Sequence, residues 1–271
     1  MKRIKKKICG ITGSSGTLGS KIIKSKAFRF IKFKGDITNK RLLDNWVSKY
    51  KFDLFIHLAA IVPVKKVMNN FNLASQVNYV GTKNLVNSLI KHQVNLKWFF
   101  FSSTSHVYNF NKGKISENIS LKPISKYGKT KLYAENYIIE KFNKKKMNFC
   151  IGRIFSFFSS NQNLDYLVPI LIKKLSNKKN KNIILKDMNH YRDFIKIGKI
   201  INIIKFLYKK KYNGIINIGS GKKIFLKNIV KKLNKYKLNV EFIDKRKNNV
   251  LVADISKLRR LGYKDKNLSP F

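Results

Sequence analysis

Short apolar runs alternate with segments of helical spacing along the chain. Runs of strand length lie at residues 7–11, 28–33, 52–60, 98–101, 149–155 and 215–221. Apolar residues at three- and four-residue spacing predict helices that begin near residue 18 and at 42–50, 78–86, 164–175, 199–208 and 226–233. Because strands and helices alternate, the pattern predicts an α/β fold with a parallel sheet.

A glycine-rich turn, Thr-Gly-Ser-Ser-Gly-Thr-Leu-Gly at 12–19, joins the first predicted strand to the first predicted helix. A strand, a glycine turn and a helix in this order form the unit that cradles the pyrophosphate of a dinucleotide. The free N–H groups at the helix N-terminus favour the negative phosphates. The sequence therefore predicts a dinucleotide-binding, Rossmann-type doubly wound sheet.

The second predicted strand is followed by Gly-Asp-Ile-Thr at 35–38. The simple fingerprint expects an acid for the adenosine ribose about 20 residues past the glycines. Asp36 is the only acid nearby, and its context is more typical of an adenine contact. Arg29, Lys32 and Lys34 surround it in sequence, and basic residues there would tolerate a 2′-phosphate. NADP is therefore slightly favoured over NAD.

Tyr127 and Lys131 are four residues apart, which places them on one face of a predicted helix. An ammonium beside a phenol favours the phenolate, so we expect Lys131 to lower the pKa of Tyr127 from its usual value of about 10. Such a tyrosine could exchange a proton with a carbinol near neutral pH. The spacing alone is weak, because this chain is rich in both residue types.

Composition and charge narrow the class of protein. The 271 residues carry a formal net charge of +46, with 44% hydrophobic residues, enough for a sizeable core. The lysines are spread along the chain and outnumber the arginines, which favours a compositional bias over a specific nucleic-acid-binding face. No apolar run approaches the ~18 residues that a membrane span needs.

Cysteine usage and the N-terminus indicate the compartment. Cys9 and Cys150 are far apart in sequence and form neither a metal-binding spacing nor a disulfide framework, which suits a reducing cytosol. The basic run at 1–7 lacks the apolar region of a signal peptide. We therefore expect a cytoplasmic protein without a metal.

Several motifs occur in one order along the chain. They are the glycine turn, Gly-Asp-Ile-Thr (35–38), His-Leu-Ala-Ala (57–60), Asn-x-x-Gly-Thr-x-Asn-Leu (78–85), Ser-Ser-Thr-x-x-Val-Tyr (102–108), Pro-x-x-x-Tyr-Gly-x-x-Lys (123–131), Arg-Asp-Phe-Ile (192–195) and Asn-Ile-Gly-Ser-Gly (217–221). This set resembles the extended short-chain dehydrogenase/reductases, specifically the NAD-dependent epimerase/dehydratase family that acts on nucleotide sugars. The resemblance runs from about residue 8 to residue 270.

The resemblance implies roles for individual residues. Tyr127 would be the general acid/base at the sugar, with Lys131 tuning its pKa and binding the nicotinamide ribose. Thr104 would polarise the reacting oxygen, and Arg192 would bind the diphosphate of the nucleotide sugar. The cofactor, NAD or NADP, would contact Gly13, Ser15, Gly16, Thr17, Leu18, Gly19, Asp36, Ile37, Leu58, Ala59, Ala60, Asn78, Tyr127 and Lys131.

Departures from the family pattern bear on the reaction. Dehydratases of the family carry Asp-Glu directly after the catalytic Thr, where this chain has Ser105 and His106, so elimination of water is not expected. His106 could handle a second proton near pH 7, or it could merely order its loop. The short segment between Gly19 and Asp36 resembles the ketoreductase branch.

The resemblance therefore favours an NAD(P)-dependent oxidoreductase that reduces a 4-keto nucleotide-diphosphate sugar. The alternative is a nucleotide-sugar 4-epimerase that keeps its NAD tightly bound, and a remote one is a non-catalytic dinucleotide- or nucleic-acid-binding protein. We expect an NAD(P)-binding Rossmann domain at 1–155 and a smaller substrate-binding lobe at 156–271, from which about 191–218 return to the Rossmann core. A homodimer through the Tyr127 helix is implied by the resemblance alone.

Overall fold

The computed structural model describes residues 6–62, 64–159, 162, 164–177, 182–244, 249–265 and 267–270. Most of the basic run at 1–7 therefore lies outside the described residues. The strands are β1 Ile8–Thr12, β2 Arg29–Lys32, β3 Leu54–His57, β4 Trp98–Thr104, β5 Phe149–Ile154, β6 Ser156–Phe158, β7 Asn182–Lys186, β8 His190–Arg192, β9 Phe194–Lys196, β10 Gly214–Ile218, β11 Ile224–Phe225, β12 Asn239–Ile243 and β13 Asn249–Leu251.

The helices alternate with these strands. They are α1 Thr17–Lys24, α2 Lys40–Lys49, α3 Val64–Asn69, α4 Phe71–Ser75, α5 Gly81–His92, α6 Lys126–Lys144, α7 Leu167–Leu175, α8 Ile197–Lys209, α9 Leu226–Leu233 and α10 Ser256–Arg260. A π-helical turn, Gln76–Val80, joins α4 to α5, and a 3₁₀ turn, Ser105–Val107, follows β4. None of the described helices is long and apolar enough to cross a bilayer.

Six parallel strands form the central sheet, in the order β10-β5-β4-β3-β1-β2. The chain starts in β1, places β2 on one side of it and then crosses to place β3 on the other. Strand order therefore reverses between β1 and β3, and open α/β sheets bind ligands outside the carboxyl ends of strands at such a switch point. The predicted α/β class with a parallel sheet is confirmed.

Alternation along the strands sorts their apolar side chains onto two faces of the sheet. In β4, Trp98 and Phe100 pack in one core cluster, whereas Phe99 and Phe101 pack in the other. The first cluster also takes residues of α1, α8 and α10, and the second takes residues of α2, α5 and α6. Helices therefore cover both faces of the sheet, which explains why its central strands are apolar throughout.

The second half of the chain contributes to two regions. Its smaller sheets, β11-β8-β13, β12-β7 and β6-β9, lie beside a separate core that includes Val168, Leu185 and Ile229. β10 joins the central sheet, and residues of α8 pack in the first core cluster. Leu258 and Leu268 pack in that same core, so the contribution extends past residue 218. The division into a cofactor domain and a substrate lobe stays a prediction.

Two elements differ from the sequence-based expectation. The apolar run at 52–60 is a strand only to His57, and residues 58–60 form an irregular segment at its carboxyl end. The helix expected from Asn78 begins with the π-helical turn, and α5 starts only at Gly81. A Cβ at Gly81 would lie 2.4 Å from Ile37 Cγ2, so close packing against the loop after β2 is what requires glycine there.

Candidate active site

The glycine turn after β1 is shaped for close approach of a ligand to the backbone. Gly13 has a φ of +69°, and a Cβ there would lie 2.5 Å from the backbone nitrogen of Ala59. A Cβ at Gly19 would lie 2.2 Å from the Gly13 carbonyl oxygen. No side chain caps the N-terminus of α1, so its first N–H groups are available to an anion. The turn fits the pyrophosphate of a dinucleotide.

A cavity of about 960 Å³ opens at the carboxyl edge of the sheet, beside this turn. A volume in this range can hold a large organic ligand. The predicted residues that line it are Gly13, Ser15, Gly16, Thr17, Leu18, Gly19, Leu58, Ala59, Ala60, Thr104, His106, Tyr127, Lys131 and Arg192. Residues predicted from five separate segments of the chain therefore line one cavity.

Thr104 and Tyr127 are brought together by the end of β4 and the start of α6. The Thr104 side chain favours the phenolate of Tyr127 and so opposes the rise in its pKa, and the Thr104 hydroxyl oxygen accepts from the backbone N–H of His106 at 3.2 Å. Ser125 caps α6 by accepting from the Gly128 N–H at 3.0 Å. Two hydroxyls at one site can both donate hydrogen bonds to an oxygen atom of a ligand that is bound in the cavity.

The expected effect of Lys131 on Tyr127 is wrong for this structure. The Lys131 ammonium lies over the ring of Phe101, 3.9 Å from its centroid, and only 1% of the residue is exposed. Burial lowers the pKa of Lys131 to about 7, against the opposing effect of Glu135. Burial raises the pKa of Tyr127 above its ordinary value, with Tyr166 adding to the rise and Thr104 opposing it. Tyr127 is therefore a neutral phenol at neutral pH.

His106 is also neutral in this structure. Burial, reinforced by the charge of Arg192, lowers the pKa of His106 to about 3. Its Nδ1 lies 3.0 Å from the Ser125 hydroxyl, the N-cap of α6. An imidazole with this pKa is a weak base at pH 7, so the expectation that His106 handles a second proton near neutral pH is not supported. The alternative, that it orders its loop, agrees with the Ser125 contact.

Arg192 reaches the cavity from β8. Its guanidinium is partly buried, and burial lowers its pKa to about 10, so it stays charged at neutral pH. Its Nε donates to His190 Nε2 at 3.0 Å. The cavity lining thus includes a fixed cation, and a guanidinium fork suits phosphate oxygens.

Three of the predicted cofactor contacts are not among the residues that line the cavity. Asp36 is exposed and accepts from the Thr38 N–H at 2.8 Å, while Ile37 is buried beneath Gly81. Asn78 is fully buried, where it accepts from Ile61 N–H at 2.7 Å and donates to Thr130 at 3.1 Å. Their cofactor roles stay predictions, and the hydrogen bonds of Asn78 instead hold the cavity-lining segment near Ile61.

The basic residues around Asp36 do not all lie where the sequence suggested. Arg29 pairs with Ile8 at the amino end of β1, whereas Lys32 pairs with Ile11 near the carboxyl end. Parallel strands carry ligands at their carboxyl ends, so Arg29 lies at the wrong end of β2 to meet a cofactor phosphate. Of the three basic residues, Lys32 and Lys34 therefore remain candidates for contact with a 2′-phosphate of the cofactor.

A buried network that the sequence reasoning missed supports the site from behind. Arg153 Nη2 lies 2.7 Å from Glu135 Oε2, and both side chains are almost completely buried. The Ser103 hydroxyl, next to Thr104, donates to the same carboxylate. Arg153 also donates to the Tyr108 hydroxyl at 2.9 Å. The one feature of the sequence that could have pointed to this network is that Glu135 follows Lys131 by one helical turn.

Residues ahead of α7 close the other side of the cavity. Asp165 and Tyr166 line it, and Asp165 pairs with Lys66 of α3 at 3.1 Å. These residues come from the stretch after β5, where no motif pointed to them. Among the described residues, no group of three or more His, Cys, Asp or Glu is placed to hold a metal ion.

The sequence is similar to a family model and to several known proteins. A family model described as GDP-mannose 4,6 dehydratase matches residues 12–267. A GDP-6-deoxy-D-talose 4-dehydrogenase of Aggregatibacter actinomycetemcomitans is 29% identical over 221 residues, which cover 78% of this chain and 74% of that protein. A protein of Bacillus subtilis described as an uncharacterised UDP-glucose epimerase is 30% identical over 222 residues, covering 79% and 69% of the two chains.

Solved structures share the fold at lower identity. A dTDP-glucose 4,6-dehydratase of Streptomyces venezuelae, solved with NAD bound, superposes with a TM-score of 0.83 at 18% identity, covering 95% of this chain and 91% of that one. A protein of Pseudomonas aeruginosa described as RMD, in complex with NADPH, superposes with a TM-score of 0.82 at 18% identity, covering 94% and 92%. At this level of identity the likeness shows the fold alone.

Proposed function

Since the chain belongs to the extended short-chain dehydrogenase/reductases of the NAD-dependent epimerase/dehydratase family, whose members act on nucleotide sugars, we propose that it reduces the 4-keto group of a nucleotide-diphosphate sugar. The observation that carries the proposal is that Thr104, Tyr127 and Lys131 line the same cavity. A proton donor and a second hydroxyl at one wall are what a carbonyl oxygen needs when it becomes an alcohol.

In this proposal Tyr127 is the acid. Its O–H bond breaks as the proton passes to the sugar oxygen at C4, while the carbonyl double bond becomes a single bond. Thr104 donates to the same oxygen and stabilises the charge that develops on it. The bound nicotinamide cofactor supplies the hydride that C4 receives. Lys131, one helical turn from Tyr127, binds the nicotinamide ribose.

Binding of the two ligands is divided between different residues of the cavity. The glycine turn and the N-terminus of α1 hold the cofactor pyrophosphate. Lys32 and Lys34 slightly favour NADP over NAD, because Lys32 is the last residue of β2 and Lys34 follows it in sequence. Arg192 holds the diphosphate of the nucleotide sugar.

The state of Tyr127 supports reduction over epimerisation. A neutral phenol can give a proton to a carbonyl at once, whereas epimerisation must begin by taking a proton from an alcohol. Burial keeps the pKa of Tyr127 above its ordinary value, so the phenol carries its proton at neutral pH. Dehydration is disfavoured because Ser105 and the neutral His106 stand where dehydratases carry two carboxylates.

The direct test is Tyr127→Phe, which removes one oxygen and keeps the ring. We expect reduction of 4-keto GDP-, UDP- and dTDP-sugars with NADH or NADPH, monitored by mass spectrometry, to fall at least 10³-fold, since the proposed general acid is lost. Cofactor affinity should change less than threefold. The matched control is Tyr133→Phe on the same helix, where the side chain is exposed and turnover should be unchanged.

The epimerase alternative predicts a different cofactor content of the purified protein. An epimerase returns the hydride to the same sugar and can keep its cofactor bound, whereas a reductase must exchange it. Stoichiometric NAD in the purified protein, measured by absorbance and mass spectrometry, would contradict the reductase proposal. Full turnover by Tyr127→Phe would contradict both enzyme proposals.

A further inference from the structure

Arg192 is enclosed by two neighbours to which neither the family pattern nor the sequence assigned a role. His190 and Arg192 are two residues apart on β8, so their side chains leave the strand on the same face, and both line the cavity. Arg192 Nε donates to His190 Nε2 at 3.0 Å. The guanidinium also lies over the ring of Phe110, with its carbon 5.4 Å from the centroid.

His190 is itself fixed. Its ring packs edge-on against Phe110, with centroids 5.8 Å apart. Because Nε2 accepts from Arg192, the ring proton must be on Nδ1. Burial and the nearby Arg192 lower the pKa of His190 to about 4, although Asp187 and Asp244 oppose the shift. The ring is a neutral acceptor at neutral pH.

The strands around this cluster hold it from both sides. β8 pairs with β13 in parallel, with Leu251 opposite Arg192, and with β11 in the antiparallel direction, with Ile224 opposite Arg192. Asn111, next to Phe110, forms a bridge to Val250 of β13. The aromatic ring and the arginine are therefore tied to one small sheet.

The contacts leave one end of the guanidinium open. Within the described part of the chain, Nε is the only nitrogen of Arg192 with a hydrogen-bond partner. A guanidinium can bind two oxygens side-on, through Nε and one terminal nitrogen, or end-on, through both terminal nitrogens. With Nε occupied by His190, only the end-on mode remains.

We propose that His190 and Phe110 position Arg192 so that its two terminal nitrogens meet the diphosphate of the nucleotide sugar end-on. The inference rests on the proposed function, in which Arg192 binds that diphosphate. An arginine ordered in advance loses less conformational freedom on binding, which raises affinity without any further contact to the ligand. His190 and Phe110 are thus positioning residues.

A double-mutant cycle in the full chain tests the proposal. UDP, GDP and dTDP are titrated separately by calorimetry at pH 7.5, and the tightest ligand is used. Arg192→Ala should weaken its binding about 100-fold, and His190→Leu, which keeps a side chain of similar bulk without an acceptor, about tenfold. In the Arg192→Ala background, His190→Leu should have no further effect. His190→Gln, whose carbonyl can accept from Nε, should recover affinity to within about threefold of wild type.

The outcomes separate this inference from the function on which it rests. If no diphosphate binds wild type, or if Arg192→Ala leaves the affinity unchanged, the diphosphate site of the proposed function is wrong. If Arg192→Ala weakens binding but His190→Leu does not, or acts equally in both backgrounds, the positioning role is wrong. With a 4-keto substrate, His190→Leu should raise KM and leave kcat within about twofold, and thermal unfolding monitors the integrity of each variant.

Discussion

Lys131 shows how strongly surroundings control a single side chain. Its neighbours on α6 are Tyr127 one turn before and Glu135 one turn after, and its ammonium rests on the face of Phe101. The aromatic face and the carboxylate favour the charged form. Burial opposes them and prevails, since the pKa of Lys131 is lowered to about 7. A lysine that is half neutral at physiological pH couples folding of the protein to protons.

This coupling predicts a pH-dependent stability. In the unfolded chain Lys131 has a pKa of about 10.4, so between pH 7 and 10 the unfolded state binds more protons than the native state. Stability from this residue therefore rises as the pH rises through that window. Relative to Lys131→Met, wild type should gain about 2 kcal/mol of unfolding free energy between pH 7 and pH 9.

The measurement is urea unfolding of both proteins at the two pH values, without cofactor. Lys129→Met, an exposed position on the same helix, serves as the control and should follow wild type. Equal pH dependence of wild type and Lys131→Met would show that Lys131 titrates normally in the folded protein.

The residue identities at the site were predictable, but their protonation states were not. Tyr127, Lys131 and Thr104 stand in motifs whose order along the chain carries the information. The pKa values depend on what buries each group, and Phe101 approaches Lys131 only once β4 and α6 have packed. Tyr166 and Asp165 were missed for the same reason, because they reach the cavity through tertiary packing of the stretch before α7.

At the scale of elements, the site depends on how α6 meets the end of β4. The 3₁₀ turn after β4 lies against the start of α6, and the backbone N–H of Ile124, just before that helix, donates to the His106 carbonyl at 3.1 Å. A Cβ at Gly128 would lie 2.1 Å from that same carbonyl oxygen. The lack of a side chain at Gly128 therefore allows α6, which carries Tyr127, to approach the end of β4, which carries Thr104.

Gly128→Ala should accordingly damage both stability and activity. The methyl group cannot be accommodated without moving α6 or the 3₁₀ turn, so we expect a loss of about 3 kcal/mol in unfolding free energy and a fall in turnover of more than tenfold. Urea unfolding and initial rates measure the two effects.

Gly198→Ala is the matched control, since Gly198 also lies in the first turn of a helix and a Cβ there meets nothing within 4 Å. It should leave stability unchanged or raise it by up to about 1 kcal/mol. If Gly128→Ala behaves like this control, the contact with His106 does not limit the approach of the two elements.

Element types and order were largely predictable from periodicity, whereas the irregular parts were not. The central strands were recognisable as apolar runs, because both faces of the sheet are covered. The π-helical turn before α5 has no local signal, and it brings Asn78 to Ile61 and Thr130. Likewise, the short strands of the second half, such as β8 and β13, are defined by pairing partners distant in sequence.

At the scale of the whole molecule, the charge is the dominant unusual property. The chain has 59 basic and 13 acidic side chains, so one-to-one pairing leaves at least 46 cations without an acidic partner. One of the acids, Glu135, is committed to the buried pair with Arg153. Repulsion among the remaining cations opposes the compact state.

Salt should therefore stabilise this protein. Between 0.01 M and 0.15 M NaCl the Debye length falls from about 30 Å to about 8 Å, which removes most long-range repulsion, and we expect Tm to rise by about 5 °C or more. Differential scanning fluorimetry measures the shift, and sodium sulfate at equal ionic strength separates screening from specific anion binding. A Tm that stays constant or falls with salt would contradict this expectation.

The neutral His106 has a consequence for stereochemistry under the proposed function. A ketone at C4 acidifies the hydrogens on C3 and C5, and a base nearby would exchange them with solvent and scramble both centres. The turn after β4 offers Ser105 and an imidazole whose pKa is about 3, neither of which removes such a hydrogen at neutral pH. Under the proposed function this turn would therefore leave the configurations at C3 and C5 as they were in the substrate, and the reaction beside it would set the configuration of C4 alone.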